Sequence, residues 1–326
     1  MTGAGSSAAA PIYRSWGAAY QQATGQALTY DSVGSSAGIK KIKAREVGYG
    51  ASDVAPSTQE LERDGLVVVP IAITGIVPVV NLPRIESGQL RLSGKVLVQI
   101  FDGRITQWND PQIAQVNPGL TLPALPIRVI VRADGSGTTY NFSHYLAGLD
   151  RSWSETRGVA TIVKWPQEFL SAKGSEGVAR RVAETSGGIT YVDFAYVREF
   201  HLNPVQLDNR EGEWLQPSND GFRNAMNHSD WVTRGDFTAM LTHQPGRGVW
   251  PITMGTFALL PRVTKTPDVT SAALRFLIWS FMRGDQLVQQ NNFVRLPSRI
   301  QASAYKAMAS VQDSDGRQIG LQFAGF

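Results

Sequence analysis

Apolar and polar positions change their period several times in the first part of the chain. From Ala8 to Ala23, apolar residues recur at helical spacing, and Gly25 follows as a stop signal. A short strand is predicted at Leu28–Tyr30, followed by a turn of small residues at 34–38 and a helix at Ile39–Val47. Strands therefore alternate with helices from the start of the chain.

The same alternation continues further along. A strand near Val47–Tyr49 precedes a helix whose first residues, Ser57–Glu60, form a capping box. Leu66–Ile73, Gly75–Asn81 and Ile127–Val131 are rich in Val and Ile without alternation, which is typical of strands buried on both faces of a mostly parallel sheet. The sequence predicts an α/β fold.

Length and composition narrow the class of protein. A chain of 326 residues favours two lobes over one domain. The net charge is +4 and the basic residues are scattered, so we expect no nucleic-acid partner and a weak attraction for small anions. No run approaches the roughly 20 apolar residues that a membrane span needs. The absence of cysteine excludes disulfides and thiol catalysis.

Three loops combine glycines, hydroxyl side chains and a following helix, at 3–7, 34–36 and 135–139. The start of a helix leaves backbone N–H groups unpaired and carries partial positive charge, which suits a tetrahedral oxyanion. A single loop of this kind fits an ordinary helix cap equally well. The three together favour an anion-binding site.

Two charged residues accompany the third loop. Arg132 precedes it and offers several fixed donors that match phosphate oxygens, although a surface ion pair is the alternative. Asp134 either holds this guanidinium in place or caps the next helix.

Asp53 is the unexpected residue, because a carboxylate repels an anion unless the ligand carries a proton to donate. Phosphate near neutral pH carries one and sulfate does not, so one acceptor among donors would select phosphate. The alternative is that Asp53 is a turn or cap residue before Pro56.

Catalytic motifs are missing from the sequence. The histidines have no metal-ligand spacing, and no P-loop lysine is present. We therefore expect a protein that is not an enzyme and has no metal and no cofactor. The four histidines are His144, His201, His228 and His243.

The loops belong to longer motifs that resemble a known family. Ile100–Trp108 and Gly188–Val192 flank them and match as well. With these segments the chain resembles, over nearly its whole length, the periplasmic phosphate-binding proteins of phosphate ABC transporters. The central motifs are Thr2-Gly3-Ala4-Gly5, Gly34-Ser35-Ser36-Ala37-Gly38, Gly50-Ala51-Ser52-Asp53 and Arg132-Ala133-Asp134-Gly135-Ser136-Gly137-Thr138.

The resemblance implies a type II periplasmic-binding-protein fold with two α/β lobes and a ligand cleft between them. Residues 1–73 and 256–326 would form lobe 1, residues 74–255 would form lobe 2, and strands near 71–75 and 250–256 would join them. Asp134 would orient Arg132 from behind. The implied phosphate-binding residues are Ser7, Ala8, Ser35, Asp53, Arg132, Ser136, Gly137 and Thr138.

The implied function is high-affinity binding of inorganic phosphate and its delivery to the membrane permease of an ABC transporter, by a monomer in the periplasm. Met1–Ala10 shows no signal peptide, so the periplasmic location presumes that a leader is absent from this sequence. Two alternatives stay open: a phosphate-ester hydrolase, and a phosphate sensor or secreted phosphate-binding protein that feeds no transporter. Ester hydrolysis would favour the first, and the lack of neighbouring permease genes would favour the second.

Overall fold

A computed structural model describes residues 1–320. Its helices range from four to 17 residues. They are α1 Ala10–Thr24, α2 Ser35–Lys43, α3 Thr58–Asp64, α4 Gly94–Phe101, α5 Pro111–Gln115, α6 Gly137–Leu149, α7 Arg151–Thr156, α8 Gly174–Glu184, α9 Phe194–Glu199, α10 Asn219–Asn227, α11 Asp230–Thr233, α12 Pro267–Arg283, α13 Asp285–Gln290 and α14 Ser298–Ala309.

The strands alternate with these helices, as the sequence predicts. They are β1 Thr2–Gly5, β2 Thr29–Ser32, β3 Tyr49–Ser52, β4 Leu66–Asn81, β5 Arg91–Leu92, β6 Arg128–Arg132, β7 Leu170–Ala172, β8 Gly188–Asp193, β9 Asn203–Pro204, β10 Gln206–Asp208, β11 Trp214–Leu215, β12 Thr253–Pro261, β13 Val263–Thr264 and β14 Gln312–Asp313.

The chain divides into two compact units. Unit 1 contains Met1–Ile73, Asp230–Ala239 and the chain from Gly255 onward, and unit 2 contains Thr74–Ser229 and Met240–Met254. The predicted boundaries put Asp230–Ala239 in the second lobe, whereas the structure groups it with unit 1. The ring of Trp231 packs against Phe257, with 5.4 Å between the ring centroids, which attaches this segment to β12.

Unit 1 is built on a sheet with the order β2-β1-β3-β12-β4. Strand β1 is parallel to both β2 and β3, and β12 runs antiparallel to β3. The carboxyl ends of β1, β2 and β3 therefore lie at one edge of the sheet. The loops that follow these strands begin at this edge.

Unit 2 repeats this plan with the order β4-β8-β6-β7. Strand β6 is parallel to β7 and β8, while β4 is antiparallel to β8. The carboxyl ends of β6, β7 and β8 again share one edge. Each unit thus has three parallel strands beside an antiparallel one, so the predicted parallel character holds for the strands that precede the candidate loops.

Two predicted elements differ from the structure. The two strands predicted at 66–73 and 75–81 are one continuous strand of 16 residues, β4. Gly75 does not break it: a Cβ there would lie 1.9 Å from the ring of Phe222, so glycine is needed for close packing. Helix α2 begins at Ser35, not at Ile39, because the small residues after Gly34 form its first turn.

Each unit has an aromatic core beneath its sheet edge. In unit 1, Tyr13 stacks on Tyr30, and Tyr49 stacks on Phe276. In unit 2 the rings of Phe142 and Tyr191 stack at a centroid distance of 4.2 Å. Among residues 1–320, no helix is long and apolar enough to cross a membrane.

Candidate anion-binding clusters

Three loops of unit 1 meet at the edge where its parallel strands end. Ser6 follows β1, Ser35 opens α2 after β2, and Asp53 follows β3. Because β1, β2 and β3 are parallel, their carboxyl ends bring these residues together although the chain separates Ser6 from Asp53 by 47 positions. We call Ser6, Ser7, Ala8, Ser35 and Asp53 the serine–aspartate cluster.

Asp53 is only 3% exposed, and hydroxyl groups surround its carboxylate. Its Oδ2 accepts hydrogen bonds from Ser6 Oγ at 2.6 Å and from Ser35 Oγ at 3.4 Å. Its backbone N–H donates to Ser35 Oγ at 3.1 Å. The cap of α3 is Ser57, whose hydroxyl accepts from the Glu60 N–H, so Asp53 has no capping role in that helix.

The start of α1 belongs to the same cluster. Ser6 Oγ accepts from the Ala9 N–H at 3.2 Å, which satisfies one donor of the helix start. Ser7 and Ala8 lie in the buried turn before the helix, and the Ser7 carbonyl accepts from the Ala10 N–H. This turn brings backbone donors and the Ser7 side chain close to the sheet edge.

Glycines let α2 approach the sheet closely. A Cβ on Gly38 would lie 2.5 Å from the Cα of Gly5 and 2.7 Å from the Ala51 carbonyl oxygen. Gly34 adopts φ 90°, in the region that favours glycine, immediately before the helix. The small residues of the 34–38 segment therefore place the start of α2 against β1 and β3.

The negative charge of Asp53 affects the pKa of Tyr13 in the aromatic core. The Tyr13 phenol is fully buried, and burial first, then the negative charge of Asp53, raise its pKa above the ordinary range. Tyr13 is therefore a neutral residue at physiological pH.

Unit 2 places a buried guanidinium at the matching edge. Arg132 ends β6, and its side chain is 2% exposed. Its Nε donates to Asp134 Oδ1 at 2.8 Å and its Nη2 to Asp134 Oδ2 at 2.5 Å, a bidentate pair that fixes the plane of the guanidinium. Its Nη1 donates to Ser175 Oγ at 3.3 Å, from the first turn of α8.

The pKa values of this pair follow from the contact. Burial alone lowers the pKa of Arg132, but the hydrogen bonds and the charge of Asp134 outweigh it and raise the pKa. Burial raises the pKa of Asp134, and the hydrogen bonds and charge of Arg132 bring it below its ordinary value. Both side chains are therefore charged at neutral pH. Asp134 also accepts from the Gly174 N–H at 2.9 Å.

The start of α6 lies next to this guanidinium in the sequence. Ser136 is its N-cap and accepts from the Thr139 N–H at 3.1 Å, so the cap is Ser136 and not Asp134. Gly137 and Thr138 follow, and Thr138 Oγ1 donates to Asp193 Oδ1 at 3.5 Å. We call the residues of this region the arginine cluster: Arg132, Asp134, Ser136, Gly137, Thr138, Ser175 and Asp193.

Ser6, Ser175 and Asp193 were not among the residues predicted to bind phosphate. Ser6 lies in the predicted loop 3–7, but its bond to Asp53 depends on the pairing of β1 with β3. Ser175 follows β7 and Asp193 is the last residue of β8, and both lie outside the predicted loops. The parallel pairing of β7 and β8 with β6 brings both residues to the edge at which Arg132 lies.

The histidines lie outside both clusters. His144 Nδ1 shares a hydrogen bond of 2.7 Å with Thr242 Oγ1, and the ring of His243 stacks on Tyr145. In the part of the chain from residue 1 to 320, no group of three or more acidic or histidine side chains is arranged to hold a metal ion.

Comparison with known proteins identifies the family. A family model for the PBP superfamily domain matches residues 1–223. The phosphate-binding protein PstS of Xylella fastidiosa (strain Temecula1) is 42% identical over 94% of this chain and 85% of its own length. The chain belongs to the PstS family of the PBP superfamily.

Solved structures agree with this family in fold. A high-affinity periplasmic phosphate-binding protein, PfluDING, superposes with a TM-score of 0.71 over 94% of this chain and 93% of its own, at 19% identity. An ABC-type phosphate transport receptor from Vibrio cholerae gives a TM-score of 0.58 at 18% identity, over 91% of this chain and 100% of its own. The predicted family and the predicted fold class are confirmed.

Proposed function

We propose that this protein binds inorganic phosphate reversibly, without changing it chemically, and delivers it to the permease of an ABC transporter. Relatives are named phosphate-binding proteins, and one protein of the same fold is an ABC-type phosphate transport receptor. The observation that carries the proposal is the buried Arg132, the last residue of β6, whose guanidinium Asp134 holds at the sheet edge.

The arginine cluster supplies the attraction for the anion. Arg132 is charged and desolvated, and Asp134 and Ser175 fix its orientation, so little order has to be imposed when an oxyanion binds. The backbone N–H groups of Gly137 and Thr138 add donors at a helix start. Hydrogen bonds to an ionised group contribute about 1.5–3 kcal/mol each, so a few of them suffice for tight binding.

The serine–aspartate cluster supplies the selectivity. Ser7, the Ala8 backbone and Ser35 are the proposed donors, and Asp53 is the acceptor of the proton that phosphate carries near neutral pH. Sulfate has no proton to give, so its binding would place two negative charges together in a buried environment. We propose that the residues that bind phosphate are Ser7, Ala8, Ser35, Asp53, Arg132, Ser136, Gly137 and Thr138.

The oligomeric state, the location and the protein partners are also proposals. We infer a monomer that works in the periplasm, as the name of PfluDING indicates for that protein, with the permease subunits as its partners. The ligand is inorganic phosphate, and no cofactor takes part.

A calorimetric titration tests this proposal. Protein freed of ligand by partial unfolding and refolding is titrated with phosphate, and with sulfate as the matched control. One-to-one phosphate binding with no response to sulfate is the expected result. Equal binding of both anions would remove Asp53 from the site, and binding of neither would overturn the proposed function.

A further inference from the structure

The hydroxyl group of Thr138 has one hydrogen and two possible acceptors. Thr138 is the second residue of α6, and its side chain is buried. Its Oγ1 donates to Asp193 Oδ1 at 3.5 Å. A hydroxyl group carries a single donor hydrogen. A phosphate oxygen that accepts from the Thr138 hydroxyl group therefore needs the hydrogen that Asp193 accepts.

Asp193 lies at the position from which it acts on the whole arginine cluster. It is the last residue of β8, is fully buried, and ends its strand at the same edge as Arg132 because β6 and β8 are parallel. Its charge is close enough to contribute to the raised pKa of Arg132. Asp193 thus contacts or influences two residues that the proposed function assigns to phosphate.

A carboxylate in this position opposes a bound anion in two ways. Its negative charge repels the anion, and the repulsion is strong where water is excluded. In addition, once the Thr138 hydrogen turns to a phosphate oxygen, the lone pairs of Thr138 Oγ1 face the Asp193 carboxylate.

We propose that Asp193 sets the phosphate affinity of the arginine cluster by competing with phosphate for the hydroxyl hydrogen of Thr138. The inference rests on the proposed function, since it takes the start of α6 as a phosphate ligand. A protein that hands its ligand to a permease must also release it, and a built-in competitor limits how tightly the ligand is held. Asp193 acts through Thr138 and Arg132, so it is a positioning residue and not a ligand.

A double-mutant cycle tests the competition. Phosphate affinity is measured by calorimetry at neutral pH for the wild type, Asp193→Asn, Thr138→Val and the double variant. The asparagine keeps the shape of Asp193, loses its charge and can donate to Thr138 Oγ1. The valine keeps the shape of Thr138 and loses the hydroxyl group, so repulsion by charge is the same with either residue at position 138.

We expect Asp193→Asn to tighten phosphate binding. The gain in affinity should be about threefold larger in the wild-type background than in the Thr138→Val background, which corresponds to one net hydrogen bond. Equal tightening in the two backgrounds would leave only charge repulsion and overturn the competition. Weaker binding in Asp193→Asn would mean that Asp193 supports the site. A wild type that binds no phosphate would instead overturn the proposed function, and this inference with it.

Folding of the variants is checked by thermal unfolding without phosphate. If Asp193→Asn does not fold, Thr138→Val alone decides the question. Competition predicts that this variant loses less than about threefold in phosphate affinity, because in the wild type Asp193 already engages the hydroxyl hydrogen of Thr138. A loss of more than about tenfold would show that phosphate obtains this hydrogen without opposition and would overturn the inference.

Discussion

The serine–aspartate cluster of unit 1 and the arginine cluster of unit 2 share a backbone plan and differ in the charge at its centre. In both, parallel strands end at one edge and a helix begins directly after one of them. In both, a serine hydroxyl accepts an N–H three residues on: Ser6 from Ala9 at 3.2 Å and Ser136 from Thr139 at 3.1 Å. Unit 1 then centres on Asp53, and unit 2 on Arg132.

Because of this difference, one cluster attracts anions and the other discriminates between them. The helix starts supply donors without a net charge, and they treat all oxyanions alike. Arg132, oriented by Asp134, adds attraction for any anion. Asp53 removes attraction from every anion that carries no proton, so selectivity follows from the cluster that has no cation.

The largest effect is expected from removing the guanidinium. Arg132→Ala should weaken phosphate binding by more than about a hundredfold and also lower the free energy of unfolding by about 3–5 kcal/mol, because the partly buried Asp134 loses its partner. Calorimetry and urea unfolding measure the two effects. Arg151→Ala, at a side chain that is 91% exposed, is the control and should change neither. Unchanged affinity in Arg132→Ala would remove Arg132 from the site.

A change of selectivity is expected from Asp53→Asn. The amide keeps the shape and removes the acceptor charge, so the ratio of phosphate to sulfate affinity should fall by about tenfold or more. Titrations with each anion give this ratio. Asp134→Asn serves as the matched loss of a carboxylate in the other cluster and should leave the ratio unchanged. An equal fall of this ratio in both variants would show that the net charge of the protein, and not the position of Asp53, sets the selectivity for phosphate.

A smaller effect on stability distinguishes the two capping serines. Ser136→Ala loses a helix cap and should lower the free energy of unfolding by about 1 kcal/mol. Ser6→Ala loses the same contact and also the 2.6 Å donor to Asp53, so its cost should exceed that of Ser136→Ala by about 1–3 kcal/mol. Urea unfolding of ligand-free protein compares them. Equal costs would mean that Asp53 does not depend on Ser6.

The smallest effect is a dependence of stability on pH. Folding lowers the pKa of Asp134, so its contribution to stability is complete above its ordinary pKa of about 3.9 and is lost as the pH falls through the lowered value. In Asp134→Asn the free energy of unfolding should therefore fall less steeply below about pH 4 than in the wild type. Glu155→Gln, at an exposed ion pair, is the control. If the free energy of unfolding depends on pH in the same way in the wild type and in Asp134→Asn, folding does not lower the pKa of Asp134.

Much of the fold follows from local patterns. The helix ending at Gly25 and the capping box of α3 are both present, because periodicity, a glycine in the left-handed conformation and a serine three residues before a glutamate act over a few residues. The break predicted between 73 and 75 is absent, because Gly75 makes room for Phe222, a residue distant in sequence.

Local sequence patterns predict the loops, the helix starts and the chemical types of the residues that they present. Long-range strand pairing sets which of these residues meet. Ser6 reaches Asp53 across 47 positions, Arg132 reaches Ser175 across 43, and Thr138 reaches Asp193 across 55. These contacts depend on the order and direction of strands in each sheet, which long-range pairing sets and no local pattern encodes.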